Sequence, residues 1–441
     1  MAPSAISPID SPVSPPSPTS TEAMNTIGMK KTITDALNKH NLAGLDASKL
    51  TITRTTNPGM VPAPNSPEIW AQKSTTDHML TVSWSAASGW AAPEIKPYGN
   101  LSLSPAASVL HYATECFEGM KAYRGYDGKL RIFRPERNCA RMLKSATRIS
   151  LPAFDPAELQ TLVERFVAVD GPKWLPNTPE WRGKFLYLRP TMIATNANIG
   201  VQKPTEALLY IIGVCFPPLD EGGPPAAPSA TTENNNTSET SLASKTPTKP
   251  QQPGMKLLAS SASTIRAWPG GFGNAKVGAN YGPSLVTQQE ARDRGYHQIL
   301  WLFGEQGYVT EAGASNFFIV WKTAEGKTQL VTAPLRDGII LEGVTRQSVL
   351  DLVRSEMPEI EVVERKYTMD EVKAAYQEGR LVEAFGSGTA FFIAPCAEIH
   401  YRGMDVVLSQ SREFAMKVKE RMREIMFGGV QHPWGVVIDE E

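Results

Sequence analysis

Residues 270–283 read "GGFGNAKVGANYGP", and this stretch decides how the rest of the chain is interpreted. Five of its fourteen residues are glycine, Lys276 lies in the middle, and Tyr281 follows five residues later. Glycine lets a flat ligand approach the backbone closely, and a desolvated lysine amine forms Schiff bases with aldehydes. A solvated loop lysine is the plain alternative for any single lysine. In this setting, Lys276 is predicted to hold a planar aldehyde, with the Tyr281 hydroxyl close to it.

Two glycine-rich motifs that bind nucleotides are excluded, because their glycines are not at the required spacing in this sequence. The segment "AEGKT" (324–328) has Trp321 where a Walker-type phosphate loop requires glycine. No GxGxxG motif opens a helix, so a dinucleotide site has no support.

A carboxylate follows in "GYVTEAGASNFFIV" (307–320), where Glu311 precedes Gly313. Alone, Glu311 would be a turn residue that caps the next segment. Beside an aldehyde-binding lysine it gains a role, because an acidic residue holds the ring nitrogen of pyridoxal phosphate protonated.

Phosphate binding is indicated by two segments and two arginines. "FGSGTA" (385–390) is predicted to be a turn whose backbone N–H groups form an anion nest. "EGVTRQSVL" (342–350) opens a predicted helix, whose first amides favour an anion. Arg141 and Arg266 can each clamp a phosphate or carboxylate. Glycine-serine turns and arginines are common, so it is their order beside Lys276 and Glu311 that carries the prediction.

Charge and composition exclude several classes of protein. The 441 residues contain 44 Lys+Arg and 45 Asp+Glu, so a nucleic-acid binder is not expected. No apolar run reaches the roughly 18 residues of a membrane helix. The histidines form no HExxH motif and the four cysteines no CxxC pair, which predicts reduced thiols and no metal site.

Composition divides the chain into four parts. Residues 1–49 are a Pro/Ser-rich tail without a secretory apolar region, and 217–254 are a low-complexity insertion that cannot bury a core. Between and after them lie a smaller domain (50–216) and a larger one (255–441). The tail contains no arginine, which favours a cytoplasmic protein, with mitochondrial import as the alternative.

Periodicity predicts strands and helices in both domains. We expect a short strand at 130–133 and buried strands in "FLYLRPTMIATN" (185–196) and "ALLYIIGVCF" (207–216). A helix is expected from Pro135, with Met142 and Leu143 on its apolar face. The mixture predicts an α+β (mixed α/β) architecture.

Seven ordered segments together resemble a known family, the branched-chain amino acid aminotransferases of eukaryotic type. They are "FEGMKAYRG", "RIFRPERNCARML", "YLRPTMIAT", "RAWPGGFGNAKVGANYGP", "VTEAGASNFF", "LEGVTRQSVLDL" and "EAFGSGTAFF", within roughly 70–216 and 255–405. The resemblance implies a two-domain, fold-type IV, D-amino acid aminotransferase-like enzyme that uses pyridoxal 5'-phosphate (PLP). It also implies a homodimer that moves the amino group of L-leucine, L-isoleucine or L-valine to 2-oxoglutarate, in branched-chain amino acid synthesis or breakdown.

The resemblance also implies roles for individual residues. Lys276 would be the catalytic, cofactor-binding lysine. The other cofactor contacts would come from Tyr281, Glu311, Arg141, Arg266, Val344, Thr345 and Thr389. The substrate contacts would come from Tyr112, Phe117, Tyr187, Arg189 and Ala390, with Arg189 on the second carboxylate of glutamate.

Three departures from the family pattern stand out. Ala314 replaces a usual threonine, Phe391 and Ala394 replace a redox CxxC pair, and 217–254 replace a connector that supplies an aromatic side chain. No thiol switch of that kind is expected. The alternatives are a D-amino acid aminotransferase or an aminodeoxychorismate lyase on the same scaffold, or an inactive paralogue; the intact Lys276, Tyr281 and Glu311 argue against the last.

Overall fold

The computed structural model describes residues 42–218, 254–390, 392–408 and 412–441. The predicted tail lies outside these residues up to position 41, and the predicted insertion lies outside them from 219 to 253. The described residues form two large β-sheets with helices packed on them, as the α+β prediction requires.

The strands are numbered here in chain order along the described residues. They are β1 (Thr51–Ile52), β2 (Thr75–Ser85), β3 (Gly89–Trp90), β4 (Glu94–Pro97), β5 (Glu115–Phe117), β6 (Met120–Arg124), β7 (Leu130–Phe133), β8 (Phe185–Ala194), β9 (Glu206–Cys215), β10 (Met255–Ala259), β11 (Gln298–Phe303), β12 (Tyr308–Ala312), β13 (Ser315–Lys322), β14 (Thr328–Thr332), β15 (Glu361–Glu364), β16 (Leu381–Gly388), β17 (Phe392–Tyr401), β18 (Met404–Val407) and β19 (Gly435–Ile438). The three strands predicted before the insertion are confirmed as β7, β8 and β9.

The helices of the described residues are numbered in the same way. They are α1 (Pro67–Trp70), α2 (Ser108–Tyr112), α3 (Pro135–Arg148), α4 (Pro156–Trp174), α5 (Ser284–Asp293), α6 (Val344–Glu356), α7 (Met369–Gln377) and α8 (Glu413–Met426). The helix predicted from Pro135 is confirmed as α3, which buries Met142 and Leu143. Proline suits this first turn, because its missing N–H would have no partner within the helix.

The first sheet has the strand order β1-β4-β2-β9-β8-β6-β7-β19, with β3 beside β2 and β5 beside β8. Its central pair, β8 and β9, is antiparallel and joins Leu186 to Cys215 at one end. Leu143 of α3 and Leu162 of α4 share one buried cluster with Leu186. Each such side chain contributes roughly 2 kcal/mol on burial, so this sheet has its own core.

The second sheet has the order β12-β11-β10-β17-β16-β13-β14-β15, with β18 beside β17. β10 runs parallel to both of its neighbours, β11 and β17. Ala291 of α5 packs against Ile299 and Trp301. Val372 of α7 shares a cluster with Leu300, whose side chain lies on the other face because strand residues alternate. Helices therefore cover both faces of this sheet.

The last strand, β19, pairs antiparallel with β7 in the first sheet. Strand pairing thus crosses the predicted division between the domains at 50–216 and 255–441. A buried charge accompanies the pairing: Arg124 is fully buried and donates from Nη1 to Glu440 Oε1 over 2.5 Å. The strand also covers β7, which would otherwise be an exposed edge.

The prediction of a turn across "FGSGTA" is wrong for Phe385–Gly388. These residues form the end of β16 and pair with both β13 and β17. The glycines serve close packing instead, since a Cβ on Gly388 would lie 3.0 Å from Ser315 Oγ. Only Thr389 and Ala390 are in the turn itself.

The four cysteines are unpaired, as predicted, and the structure buries all of them. Burial raises the pKa of Cys215 and of Cys396 to about 12. Thiols with such pKa values stay protonated and unreactive at neutral pH. Among the described residues, none of the helices combines the length and apolar character that a bilayer-spanning segment requires.

Candidate active site

Lys276 lies in the glycine-rich loop between β10 and α5. Its Nζ is 3.1 Å from the Tyr281 hydroxyl and 4.8 Å from the centre of the Phe117 ring. Tyr281 directly follows a short 3-10 turn (Gly278–Asn280), which brings its hydroxyl back to the lysine. Two predicted site residues that are five positions apart in sequence are therefore in direct contact.

Two glycines of this loop are needed for packing of the protein on itself. A Cβ on Gly278 would lie 2.0 Å from Glu115 Oε1, and one on Gly273 would lie 2.0 Å from Ile339 O. A Cβ on Gly282, by contrast, would meet no atom of the described part of the chain within 4 Å. The prediction that glycine makes room for a ligand thus gives only part of the reason for this composition.

Glu311 is a buried carboxylate near the end of β12. It accepts hydrogen bonds from Arg266 Nη2, from Asn316 Nδ2 at 3.0 Å and from the Leu341 N–H at 3.2 Å. Asn316 is its direct partner across the β12–β13 hairpin, which explains their contact. Burial raises the pKa of Glu311, although the Arg266 guanidinium acts in the opposite direction.

Arg266 lies at the Glu311 end of the site. Besides Glu311, it donates from Nη2 to Ile339 O at 3.2 Å. Its Nε is buried and has no hydrogen-bond partner among the residues that the structure describes. Arg266 and Glu311 also line a cavity of about 160 Å³, together with Tyr281 and Ala314. The structure therefore brings Arg266 to the predicted ring-nitrogen residue, and Arg141 to a different place.

Arg141 projects from α3 toward the start of α6. Its Nη1 donates to Glu342 O at 2.9 Å, two residues before the helix begins at Val344. Val344 and Thr345 are both buried in this first turn. A helix N-terminus and a guanidinium at one point form a site for an anion, because both supply N–H donors and positive charge.

Glu118, which no sequence motif marks as a site residue, holds Arg141 in place. This fully buried carboxylate accepts from Arg141 Nε at 2.7 Å and Nη2 at 2.8 Å, and from Asn138 Nδ2 at 2.8 Å. Burial acts to lower the pKa of Arg141, but the Glu118 carboxylate raises it above its ordinary value. The sequence feature that could have indicated Glu118 is an acidic residue within the apolar segment that precedes β6.

The turn after β16 docks on the first sheet. Thr389 Oγ1 donates to Gly119 O at 3.3 Å, and Lys121 Nζ donates to Ala390 O at 3.4 Å. Lys121 itself is buried and lies 3.8 Å from the centre of the Phe185 ring. The neighbouring Phe391, one of the two residues replacing a redox pair, lies outside the described residues.

Phe117 connects the lysine to the predicted substrate residues. Its ring centre is 5.3 Å from that of Tyr281, and the Arg189 guanidinium carbon lies 4.8 Å from it. Arg189 is also 5.2 Å from the Tyr187 ring. Tyr112 ends α2 with 36% of its surface exposed; among the described residues its ring contact is with His111. Phe117, Tyr187 and Arg189 therefore form one group, and Tyr112 is not linked to it by these contacts.

A comparison with known sequences identifies the family. The sequence model of "Amino-transferase class IV" matches residues 115–399. The curated Saccharomyces cerevisiae protein "Branched-chain-amino-acid aminotransferase, cytosolic" is 46% identical over 408 residues. That alignment covers 90% of this chain and 99% of the yeast protein.

Solved structures share the fold. The branched-chain aminotransferase of Thermoproteus uzoniensis, crystallised with norvaline, matches with a TM-score of 0.59 at 25% identity, over 81% of this chain and 99% of that one. The Thermobaculum terrenum branched-chain amino acid aminotransferase, in its PLP-form, matches with a TM-score of 0.58 at 21% identity, over 81% and 98%. These likenesses confirm the predicted fold type. The chain belongs to the amino-transferase class IV family and, within it, to the branched-chain-amino-acid aminotransferases.

Proposed function

We propose that this protein is a PLP-dependent transaminase that transfers the amino group of L-leucine, L-isoleucine or L-valine to 2-oxoglutarate. The observation that carries the proposal is the arrangement of Lys276 with Tyr281, the buried Glu311, and the anion site of Arg141 at the start of α6. The names of the relatives agree with this reaction.

The donor set fits PLP group by group. Lys276 offers an amine to the aldehyde, Tyr281 a hydroxyl to the phenolic oxygen, and Glu311 a carboxylate to the ring nitrogen. The phosphate would lie at Arg141 and the first turn of α6, where Val344 and Thr345 supply N–H groups. Thr389 is the further phosphate contact that we propose. When bound, PLP supplies an electron sink for the negative charge left by the departing Cα proton.

The residues of the chain then divide the work. With the substrate held in the site, Lys276 Nζ would act as the base that takes the proton from Cα and as the acid that later returns it. The Tyr281 hydroxyl at 3.1 Å holds the lysine amine in reach. Glu311 keeps a proton on the ring nitrogen by its negative charge, and Asn316 and Arg266 fix the orientation of that carboxylate.

Substrate selection is assigned to residues of both sheets. Phe117 and Tyr187 supply an apolar wall for a branched side chain. Arg189, which lies against both rings, is placed to pair with the second carboxylate of glutamate. The backbone at Ala390 is proposed to bind the carboxylate that all the substrates share.

Replacing the lysine tests this proposal. In an assay that follows glutamate formation from L-leucine and 2-oxoglutarate, we expect Lys276→Ala to lose roughly a thousandfold or more in kcat, since it removes the amine that is proposed to move the proton. Lys256→Ala is the matched control, because Lys256 is half-exposed on β10 and pairs with Glu398. Near-normal turnover by a folded Lys276→Ala protein would refute the proposal.

We also propose that the enzyme is a homodimer. Leu110, Ile199 and Val201 are large apolar side chains with 59%, 67% and 89% of their surface exposed. They belong to neighbouring segments, since Ala107 and Ala197 are bridged. Exposed apolar groups of this kind favour burial against a partner.

The mass of the protein in solution tests the homodimer. Light scattering after size exclusion is expected to give twice the mass of one chain, and Val201→Glu should shift the mass toward that of the monomer. A monomeric wild-type protein would contradict this proposal.

A further inference from the structure

The backbone of Lys276 is held by α3 and β5, which belong to the first half of the chain, although the lysine belongs to the second half. Its N–H donates to Ser145 Oγ of α3 at 2.8 Å. Its carbonyl accepts from the N–H of Phe117, at the end of β5, over 3.1 Å. The neighbouring residue Val277 forms an isolated antiparallel β-bridge with Cys116 of β5. Both polar groups of the Lys276 backbone therefore have partners outside their own loop.

Ser145 has a fixed hydrogen-bonding geometry. It is fully buried, and its Oγ donates to Arg141 O one helical turn earlier, at 3.0 Å. A hydroxyl has one proton, so this bond leaves the oxygen lone pairs free to accept from Lys276. The serine thereby connects the backbone of the lysine to the backbone of Arg141.

Arg148 continues the same contact along α3. It donates from Nη2 to Gly270 O at 2.8 Å and to Gly271 O at 3.2 Å, and it lies 4.5 Å from the centre of the Phe272 ring. Residues three and four positions apart share one face of a helix. One face of α3 thus carries the anion-binding arginine and two contacts to the lysine loop.

We infer that Ser145 is a positioning residue that sets the distance between Lys276 and the anion site of Arg141. This inference rests on the proposed function, in which Lys276 would hold the aldehyde and Arg141 the phosphate of the same cofactor. The loop contains glycine at 270, 271, 273 and 278, which gives it a wide range of backbone conformations when unrestrained. The Ser145 bond removes that freedom at the lysine itself.

Hydrogen exchange of the cofactor-free protein tests the inference without reference to activity. We expect Ser145→Ala to speed amide exchange in peptides spanning residues 271–281 about tenfold, because the N–H of Lys276 loses its acceptor. Thr147→Ala is the matched control: Thr147 Oγ1 makes the same kind of bond, to Leu143 O at 2.9 Å, but is on the exposed side of α3. Unchanged exchange in a folded Ser145→Ala protein would overturn the inference.

A second variant and a kinetic measurement complete the test. Ser145→Cys nearly preserves the side-chain volume but offers a weak acceptor, so it is used if the alanine variant does not fold, with the same criterion. With L-leucine, we expect kcat to fall about tenfold and KM to change less than twofold, since a displaced lysine slows proton transfer. If the wild-type protein has no transaminase activity and Ser145→Ala still exchanges faster than the wild type, the proposed function is refuted and the positioning role of Ser145 stands.

Discussion

At the scale of single residues, the charge of Arg141 depends on one buried carboxylate. Glu118 accepts two hydrogen bonds from this guanidinium and one from Asn138. A buried ion pair gains its favourable energy only when both partners and their hydrogen bonds are present. The anion site therefore extends beyond the groups that would touch a phosphate.

Replacing Glu118 tests this dependence. We expect Glu118→Gln to raise the apparent dissociation constant for PLP about tenfold or more, because the Gln amide would set an N–H against one of the donors that Glu118 now accepts from, and Arg141 would no longer be held at the anion site. The constant is measured by titrating the cofactor-free protein and following absorbance. Glu136→Gln, an exposed carboxylate on the same helix, is the control. Equal affinities in the two variants would show that Glu118 has no such role.

Other residues show what side-chain chemistry alone can predict. The contact of Lys276 with Tyr281 follows from their spacing, because five residues that include a tight turn return the chain on itself. The ion pair of Arg266 with Glu311 does not follow, since the two are 45 positions apart and meet only when β10 and β12 are in one sheet. Long-range partners of this kind are set by topology, which short motifs do not specify.

At the scale of elements, a carboxylate joins β2 to α4. Asp77 accepts from Lys173 Nζ at 2.6 Å and from the Gly59 N–H at 2.7 Å. Burial acts to raise the pKa of Asp77, but these hydrogen bonds outweigh it and hold the pKa below its ordinary value. A lowered pKa means that the folded state favours the charged form. The contribution to stability is then complete above the ordinary pKa and is lost as the pH falls through the lowered one.

The stability of an Asp77→Asn variant tests that sign. Near neutral pH we expect its free energy of unfolding to be about 1 kcal/mol lower than that of the wild-type protein. The difference is small because Lys173 is partly exposed to solvent. The difference should shrink below about pH 4, where the wild-type carboxylate takes up a proton. Urea titrations at several pH values give this difference. Glu94→Gln, at an exposed pair with Lys96, should show none of it; a difference for Asp77→Asn that grows on acidification would contradict the account.

Elements also mark where sequence patterns succeed and fail. β8 and β9 were predictable because each is a dense apolar run long enough to cross a sheet. β19 was not, because a four-residue strand has little pattern and its partner β7 lies far earlier in the sequence. The strand at Phe385–Gly388 was mistaken for a turn, because glycine is typical of turns and its role in close strand packing leaves no local signal.

At the scale of the whole molecule, the site is built from both sheets. The first sheet supplies Phe117 and its helix α3 supplies Arg141 and Ser145, whereas the second sheet supplies Glu311 and the loop after β10 supplies Lys276. The resemblance of seven sequence segments predicts which residues take part, and the structure brings three of them, Lys276, Tyr281 and Phe117, into contact. It does not predict the contacts between the two halves of the chain, such as those of Lys276 with Ser145 and Phe117. These contacts join groups that are far apart in sequence, and at least one partner in each is a backbone group.

The most direct test of the central claim is the visible absorbance of the PLP-loaded protein during each half-reaction. We expect L-leucine to remove the band of the lysine-bound cofactor and 2-oxoglutarate to restore it. The reason is that Lys276 is proposed to hold the cofactor covalently when no substrate is bound, and to act as a base once the substrate is bound. D-Alanine should leave the band unchanged. A protein that shows no such band after PLP is added, or one that responds only to D-alanine, would contradict the account.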